Sequence, residues 1–302
     1  MNMGPSWGIN LGESKIEGIV LADGASRNVL RRMRIPTELD KGYYHVLGQI
    51  HKLVEVLSAE VGIRPDKIGV ACPGAVDPVT KTLKGTGWEV MNAKPILSDL
   101  QTYLGVPIKM ANDASCFALA EARFGEVLDI LPTAKTVVGI LVGSGVGAGI
   151  IINGRILHGR QGIAGAWGHN YLDDAGGKCI CGKFGCVETM ISAPALENYY
   201  ESLTHRRLDL DEISEAAERG NDEAAAKTIE RLVYHFAKAI SPVINILDPD
   251  AIVLGGAVGK TGALIQKAPD LIKRFIFNQR LDTLVLPPKL GKNATVFGAA
   301  ML

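Results

Sequence analysis

The sequence predicts a duplicated α/β fold, and three observations support this. Short apolar segments typical of β-strands alternate with segments whose apolar residues recur at helical spacing. Each half of the chain opens with a hairpin that carries a glycine turn and ends in a strand and a helix. Of the 302 residues, 47% are hydrophobic, which is enough to build a large core. Two α/β domains with a cleft between them are therefore expected.

The first half has the pattern β-β-β-α-β-α. The segments SWGINLG and KIEGIVLAD predict two strands around a glycine turn, and a third strand is expected near residues 28–35. Residues 43–62 predict a helix that ends on Gly62, as helices often do. KIGVACPG predicts a buried strand that enters a Pro-Gly turn. A helix near residues 95–104, the strand VPIKMAND and the helix SCFALAEARFG complete this half.

The second half repeats this order. The segment TVVGILVGSGVGAGIIINGRIL predicts a strand, a glycine turn and a second strand. A cysteine-rich segment follows, then a helical stretch from about residue 193 to 240 and the buried strand AIVLGGAV.

Charge and composition exclude several classes of protein. Lys+Arg and Asp+Glu both total 32, so no net charge attracts nucleic acid or an anionic membrane. The N-terminal segment lacks the pattern of a signal peptide, and no apolar run reaches the roughly 20 residues of a membrane span. We therefore expect a cytoplasmic protein whose partner is a small molecule. In that compartment, cysteines are more typical of metal ligands or reduced thiols than of disulfides.

Three of the five cysteines form a glycine-rich knuckle, C-x-C-G-x-x-G-C, at Cys179, Cys181 and Cys186. Zn²⁺ prefers thiolate and imidazole ligands in a tetrahedron, and His169 is the nearest candidate for the fourth ligand. This pattern predicts a structural Cys3His zinc site; reduced thiols without a metal are the alternative. A closed site performs no chemistry itself, so we expect it to hold neighbouring groups such as Glu188 in place.

Two glycine turns are candidates for phosphate or nucleotide binding. GSGVGAG, residues 143–149, exposes backbone amides that can approach phosphate oxygens, and Ser144 adds a hydroxyl. VLGGAVGK, residues 253–260, has room for a flat purine. A tight hairpin or a bulge explains the glycines equally well.

These motifs together resemble one family. The chain from about residue 8 onward is similar to the ROK family of bacterial sugar kinases and related repressors, in the actin-like ATPase superfamily, on the segments GINLGESK, CPGAVDP, ANDAS, GSGVGAGIIINGRI, GIAGAWGH, CICGKFGCVET and NILDPDAIVLGGAV. Three of its segments look most like the fructokinase and mannokinase branch. ROK repressors carry a helix-turn-helix ahead of this domain, whereas here the first strand is expected within ten residues, which favours an enzyme.

The resemblance implies two actin-like domains. The first covers residues 1–115, with a C-terminal helix at about 291–302 returning to it. The second covers residues 116–290 and contains the zinc knuckle at 169–186. The resemblance also implies a homodimer.

The resemblance further implies transfer of the γ-phosphoryl group of Mg-ATP to a sugar hydroxyl, by a hexokinase or fructokinase-type enzyme. Asp113 in ANDAS matches the general base; the alternative is that it caps the following helix. The other matches are sugar contacts at Asn112, Glu188, His169 and Gly74, phosphate or ATP contacts at Gly12, Ser14, Lys15, Gly143, Ser144 and Gly145, an adenosine loop at Gly255 and Gly256, and zinc ligands at His169, Cys179, Cys181 and Cys186. The implied cofactors are ATP, Mg²⁺ and structural Zn²⁺.

The chain departs from the family in two motifs. The first phosphate loop, D-x-G-G-T in the family, has Asn10 in place of the aspartate and Glu13 where phosphate oxygens approach, and like charges repel. The motif A-G-E-x-G-H has Ala166 in place of its glutamate. Two hypotheses follow: a working kinase of the fructokinase-like branch, or a degenerate kinase that binds a sugar, nucleotide or protein without turnover. A zinc-storage protein is a weaker third hypothesis.

Overall fold

The computed structural model describes residues 4–302, apart from the side chains of Lys260 and Lys292. It contains two compact units. The first unit comprises the chain through Ala120 together with residues 156–164 and 292–302, and the second comprises residues 121–155 and 165–291. Residues 156–164, which the sequence places in the second domain, thus cluster with the first unit. The predicted α/β class is confirmed.

The first unit is built on a five-stranded sheet with the order β3-β2-β1-β4-β7. The hairpin strands β1, β2 and β3 pair antiparallel, whereas β4 pairs parallel with β1 and β7 pairs parallel with β4. Its elements are β1 (Ser6–Leu11), β2 (Lys15–Leu21), β3 (Val29–Pro36), α1 (Tyr43–Val61), β4 (Ile68–Cys72), β5 (Ala75–Val76), β6 (Leu83–Lys84), α2 (Ile96–Leu104), β7 (Ile108–Asn112) and α3 (Asp113–Phe124), which continues into the second unit.

The second unit repeats this sheet with the order β10-β9-β8-β11-β12. Again β8 and β9 pair antiparallel, and β11 pairs parallel with β8 and β12. Its elements are α4 (Glu126–Ile130), β8 (Thr136–Val142), β9 (Val146–Ile152), β10 (Arg155–Ile156), α5 (Glu188–Ile191), α6 (Ala193–Thr204), α7 (Leu210–Arg219), α8 (Glu223–Leu247), β11 (Ala251–Gly256), α9 (Gly262–Ile272) and β12 (Leu284–Leu286). The last helix, α10 (Ala294–Ala300), belongs to the first unit.

Each unit has its own apolar core. In the first, the buried face of α1 packs on β2 and β3, and α10 packs on β1 and β4. In the second, the 25-residue helix α8 contacts α6, α7 and α9 and forms the centre of the core. No helix within residues 4–302 has the length and apolar character that crossing a membrane requires.

Candidate functional site

The predicted general base lies at the carboxyl ends of two parallel strands in the first unit. Cys72, the last residue of β4, is in register with Asn112, the last residue of β7. The Asn112 Nδ2 atom donates to the Gly74 carbonyl oxygen at 3.0 Å and so joins the two strand ends. Gly74 has φ +74°, and a Cβ there would lie 2.3 Å from the Lys84 carbonyl oxygen, so this position requires glycine. Ligands commonly bind at such strand ends.

Asn112 and Asp113 both bind the first turn of α3. The Asp113 Oδ1 atom accepts the backbone N–H of Ala114 at 2.8 Å. The Asn112 Oδ1 atom accepts the backbone N–H of Ala114 at 2.9 Å, which is the bond expected of an N-cap residue. Asp113 is the first residue of α3 and is half-buried. Burial raises the pKa of the Asp113 carboxyl above its ordinary value, and hydrogen bonds from Ala114 and Asn112 oppose this shift. A raised pKa suits a proton acceptor.

A cavity of about 220 Å³ lies beside Asn112, entirely within the first unit. Met110 and Val76 give it an apolar wall, while Asn112, Ser115 and His158 line it with polar groups. Its lining also includes Gly162 in segment 156–164. Lys84 fastens that segment to the β5–β6 hairpin, because its Nζ atom donates to the Gln161 carbonyl oxygen at 3.1 Å. The sequence did not predict this cavity, since its lining residues come from distant segments.

The first phosphate loop forms the turn between β1 and β2. The side chains of Glu13, Ser14 and Lys15 are exposed there. The Gly12 amide donates to the Lys15 carbonyl oxygen at 3.1 Å. The fully buried Thr37 binds both sides of the turn: its hydroxyl donates to the Gly12 carbonyl at 2.7 Å, and its amide donates to the Ser14 carbonyl at 3.1 Å.

A charge cluster that sequence analysis missed lies on β2 and β3, beside the strand before this turn. Asn10 is in register with Glu17 of β2, so both side chains lie on the same face of the sheet. Glu17 is buried and forms ion pairs with Arg32 and with Arg34, the latter at 2.9 Å. The alternation of β3, in which Arg32 and Arg34 are two residues apart, is the one sequence signal of this arrangement.

The second phosphate loop forms the corresponding turn between β8 and β9 in the second unit. Ser144 is exposed, and the Gly143 amide donates to the Gly145 carbonyl oxygen at 2.9 Å. Glu188 holds this turn, because its Oε2 atom accepts the Val146 amide at 2.9 Å. A Cβ on Gly145 would lie 2.9 Å from the same oxygen, so a side chain there would displace the Glu188 carboxylate.

The proposed adenosine loop ends strand β11 next to this turn. Gly255 and Gly256 are in register with Leu141 and Val142 of β8, directly before Gly143. The structure therefore brings the two predicted nucleotide segments of the second unit to one edge of its sheet. A groove of about 750 Å³ follows between α7, α8 and α9; Gly262, six residues after Gly256, contributes to its lining. Sequence patterns do not predict this groove, because three separate helices line it.

The four predicted zinc ligands converge. Their ligand atoms all lie within 4.8 Å of one another. The Cys179 Sγ atom lies 3.4 Å from His169 Nδ1, and the Cys181 and Cys186 Sγ atoms lie 3.6 Å apart. Ligands of one tetrahedral zinc ion are about 3.5 to 3.8 Å apart, given Zn–S and Zn–N bonds of roughly 2.3 and 2.1 Å. The donor set and spacing thus fit a closed Cys3His site that uses Nδ1 of the imidazole.

Trp167 fixes the histidine end of this cluster. A short 3-10 helix, Trp167–His169, carries the ligand, and the buried indole Nε1 donates to the Ala239 carbonyl oxygen on α8 at 2.9 Å. The Trp167 ring also packs edge-to-face on Phe236. Ala166, which replaces the family glutamate, lies exposed directly before this helix.

The two sheets of equal order and the Cys3His cluster define a protein of the actin-like ATPase class. The chain belongs to the ROK family, whose sequence profile matches residues 6–302. The predicted family is therefore confirmed. An N-acetyl-D-glucosamine kinase of Pasteurella multocida is 30% identical over 308 residues, which cover 98% of each chain.

Solved structures agree with this assignment. A ROK hexokinase from Thermus thermophilus is 25% identical with a TM-score of 0.84, over 98% of this chain and 97% of that one. A ROK family glucokinase from Streptomyces griseus, solved with glucose and AMPPNP, is 26% identical with a TM-score of 0.81, over 98% of both chains.

Proposed function

We propose that this protein is an ATP-dependent sugar kinase that transfers the γ-phosphoryl group to a hydroxyl of a hexose. The observation that carries the proposal is the placement of Asp113: it directly follows the carboxyl end of β7, it shares the Ala114 amide with Asn112, and burial raises the pKa of its carboxyl. The ROK kinases among its relatives and neighbours support it.

Asp113 then acts as the general base. Its carboxylate accepts the proton of the sugar hydroxyl while that oxygen attacks the γ-phosphorus, and the bond to the β-phosphate oxygen breaks to release ADP. Asn112, Gly74, His169 and Glu188 are the proposed sugar contacts. Residues Gly12, Ser14 and Lys15 of the first turn and Gly143–Gly145 of the second are the proposed phosphate contacts, and Gly255 and Gly256, with the groove of about 750 Å³, take the adenosine.

Two metal ions complete the proposal. Mg²⁺ supplies charge neutralisation on the ATP phosphates, and the first turn offers it the Asn10 amide oxygen and the Glu13 carboxylate as oxygen donors. Zn²⁺ is structural and is held by His169 and the three knuckle cysteines. The cytoplasmic localisation and the homodimer stay predictions.

An N-acetylated hexosamine is the proposed substrate. The named activity of the Pasteurella relative supports this choice, and so does the cavity of about 220 Å³ beside Asn112. Asp113 is not among the lining residues of the cavity, so we assign the cavity to the acyl group and not to the hydroxyl that reacts at Asp113. Met110 and Val76 give the cavity an apolar wall for the acyl methyl group. Fructose and mannose are the second candidates, from the segments that resemble that branch of the family.

The alternative is a protein that binds without turnover. Asn10, Glu13 and Ala166 favour it, because each removes or repels a group that a kinase of this family uses. A kinase gains most of its rate from positioning and charge stabilisation, so the loss of one carboxylate slows it without abolishing it. Asp113, the zinc knuckle and the second turn favour catalysis.

ADP release with Mg-ATP against N-acetylglucosamine, N-acetylmannosamine, glucose, fructose and mannose decides between them. We expect turnover on an N-acetylated sugar and a loss of about 10²- to 10⁴-fold in kcat for Asp113→Ala, the usual contribution of a general base. Asp66→Ala, at an exposed aspartate of the same unit, is the matched control. Absence of ADP release with every sugar, from folded zinc-loaded protein, would establish the binding alternative.

The pH profile tests the role of Asp113 independently. A base must be unprotonated, so activity is lost as the pH falls through the pKa of Asp113. Because burial raises that pKa, the acid limb of kcat/KM for the sugar is expected above the ordinary aspartate value of about 3.9. The residual rate of Asp113→Asn is expected to lack this limb; an identical limb in both proteins assigns it to another group.

A further inference from the structure

One carboxylate lies between the metal cluster and the second phosphate turn. Glu188 Oε2 accepts the Val146 amide at 2.9 Å, while Glu188 Oε1 lies 3.6 Å from the Sγ atom of Cys179, a metal ligand. Gly145 leaves the space that Oε2 occupies. We infer that Glu188 is a positioning residue through which the metal cluster fixes the turn Gly143–Gly145, so that metal loading sets the affinity for the triphosphate of ATP.

Glu188 is connected to the metal cluster through the backbone. Glu188 begins α5 two residues after the ligand Cys186, and the intervening Val187 amide donates to the Asn170 carbonyl oxygen at 2.9 Å. Asn170 directly follows the ligand His169. Two metal ligands therefore flank the backbone bond that orients the start of α5.

The far end of α5 is attached to the same turn. The Ser192 amide donates to the Glu188 carbonyl at 3.1 Å, and the Ala193 amide donates to the Gly143 carbonyl oxygen at 2.9 Å. The turn is thus held at both ends, by Glu188 at Val146 and by Ala193 at Gly143. Because α5 has only four residues, it has no helical stability of its own and depends on these attachments.

The segment on the N-terminal side of α5, residues 170–186, carries the three cysteine ligands, and we expect the metal to order it. Residues 170–186 pair through two isolated bridges, Tyr171 with Cys186 and Lys178 with Phe184, and Ile180 and Phe184 are largely exposed. The buried Leu172 and backbone hydrogen bonds, such as that from the Leu172 amide to the Gly185 carbonyl oxygen at 2.7 Å, also hold this segment, and we expect the metal to add most to its order around the cysteines. When this segment loses its order, Glu188 is no longer held in a fixed position. The second turn must then be ordered as the phosphates bind, which lowers the affinity for ATP.

If Glu188 links the metal cluster to the second turn, amide hydrogen exchange at that turn depends on the metal even without nucleotide. In zinc-loaded protein, the peptide that contains Val146 is expected to be protected. Its exchange is expected to accelerate about tenfold or more when zinc is chelated from the wild type. The same acceleration is expected in zinc-loaded Glu188→Ala and in zinc-loaded Gly145→Ala, where the new Cβ displaces Glu188 Oε2. Glu188→Gln keeps an oxygen acceptor and is expected to retain protection. Glu215→Ala, at an exposed glutamate of α7, is the matched control.

ATP affinity, measured by calorimetry on the same proteins, supplies the second readout. This part rests on the proposed nucleotide binding. We expect chelation to weaken ATP binding about tenfold in the wild type but to have little further effect in Glu188→Ala, because both changes act through one connection. Circular dichroism confirms that each protein is folded; Gly145→Ala replaces Glu188→Ala where the latter does not fold.

Two results overturn the inference: unchanged exchange at Val146 in folded Glu188→Ala or Gly145→Ala, or an equal effect of chelation on wild type and Glu188→Ala. Faster exchange at Val146 in protein that binds no ATP would leave the connection intact and overturn the proposed nucleotide binding instead.

Discussion

The two hairpin turns occupy the same place in the two sheets but are held by different neighbours. The turn between β1 and β2 is bound by Thr37, which follows β3 of the same sheet. The turn between β8 and β9 is bound from outside its sheet, by Glu188 and by the start of α6. The repeat therefore places both turns, while the residues that contact them decide what each can do.

The two turns also differ in the charged side chains that they carry. The first turn carries the exposed Glu13 and follows Asn10, which lies opposite the paired Glu17. The second turn, residues 143–145, contains no ionisable side chain and offers a serine hydroxyl. Two of the departures from the family, Asn10 and Glu13, thus lie at the first turn, and the proposed phosphate site is better preserved at the second turn. The third departure, Ala166, precedes the helix that carries His169.

The largest expected effect is that of a substitution in the metal cluster, which we infer to hold the second turn through Glu188. Cys186→Ser removes a buried zinc ligand, and structural zinc stabilises small domains by roughly 10 kcal/mol in favourable cases. We expect zinc content to fall from one ion per chain to near zero and the second unit to lose about 3 kcal/mol or more, which corresponds to a fall in Tm of roughly 6 to 12 °C.

Elemental analysis and thermal unfolding measure these two quantities. Ile180→Ser changes an exposed residue of the same knuckle and is expected to leave both unchanged. A full zinc content in Cys186→Ser would show that the cluster does not bind the metal as a unit.

A smaller effect is expected from a substitution of Thr37, which binds the first turn. Thr37→Val keeps the shape of a fully buried side chain but removes the hydroxyl that donates to Gly12. The cost is about 1 to 3 kcal/mol in the free energy of unfolding, because a carbonyl loses its partner. Urea unfolding measures it, with Thr133→Val at an exposed site as the control. Equal stabilities of the two variants would mean that Thr37 does not stabilise the turn.

Much of the fold is predictable from the chain because its signals are local. Apolar periodicity and glycine turns predict most strands of both sheets, and Gly62 ends α1 with a left-handed backbone as expected. The helical stretch predicted from about residue 193 to 240 is divided into α6, α7 and α8, and α9 and β12 were not predicted. The zinc cluster is predictable for the same reason, since three ligands lie within eight residues and their glycines allow the sulfurs to converge.

The rest depends on contacts between distant residues. Nothing local indicates that Thr37 binds a turn more than twenty residues away. Glu188 is recognisable by resemblance as a sugar contact, yet its hydrogen bond to Val146 spans 42 positions and follows only from the tertiary structure.

The smallest expected effect concerns Asn10. Asn10→Asp restores the family carboxylate, and Arg32 and Arg34 already neutralise the neighbouring Glu17, so the new charge is tolerated. We expect the affinity for Mg-ATP to rise about fivefold, near 1 kcal/mol, and the affinity for metal-free ATP to stay constant or fall, because the added charge attracts the cation and repels phosphate. Calorimetry with and without Mg²⁺ separates the two. An equal response in both would mean that Asn10 does not face the metal, and the first turn would then bind phosphate through its amides alone.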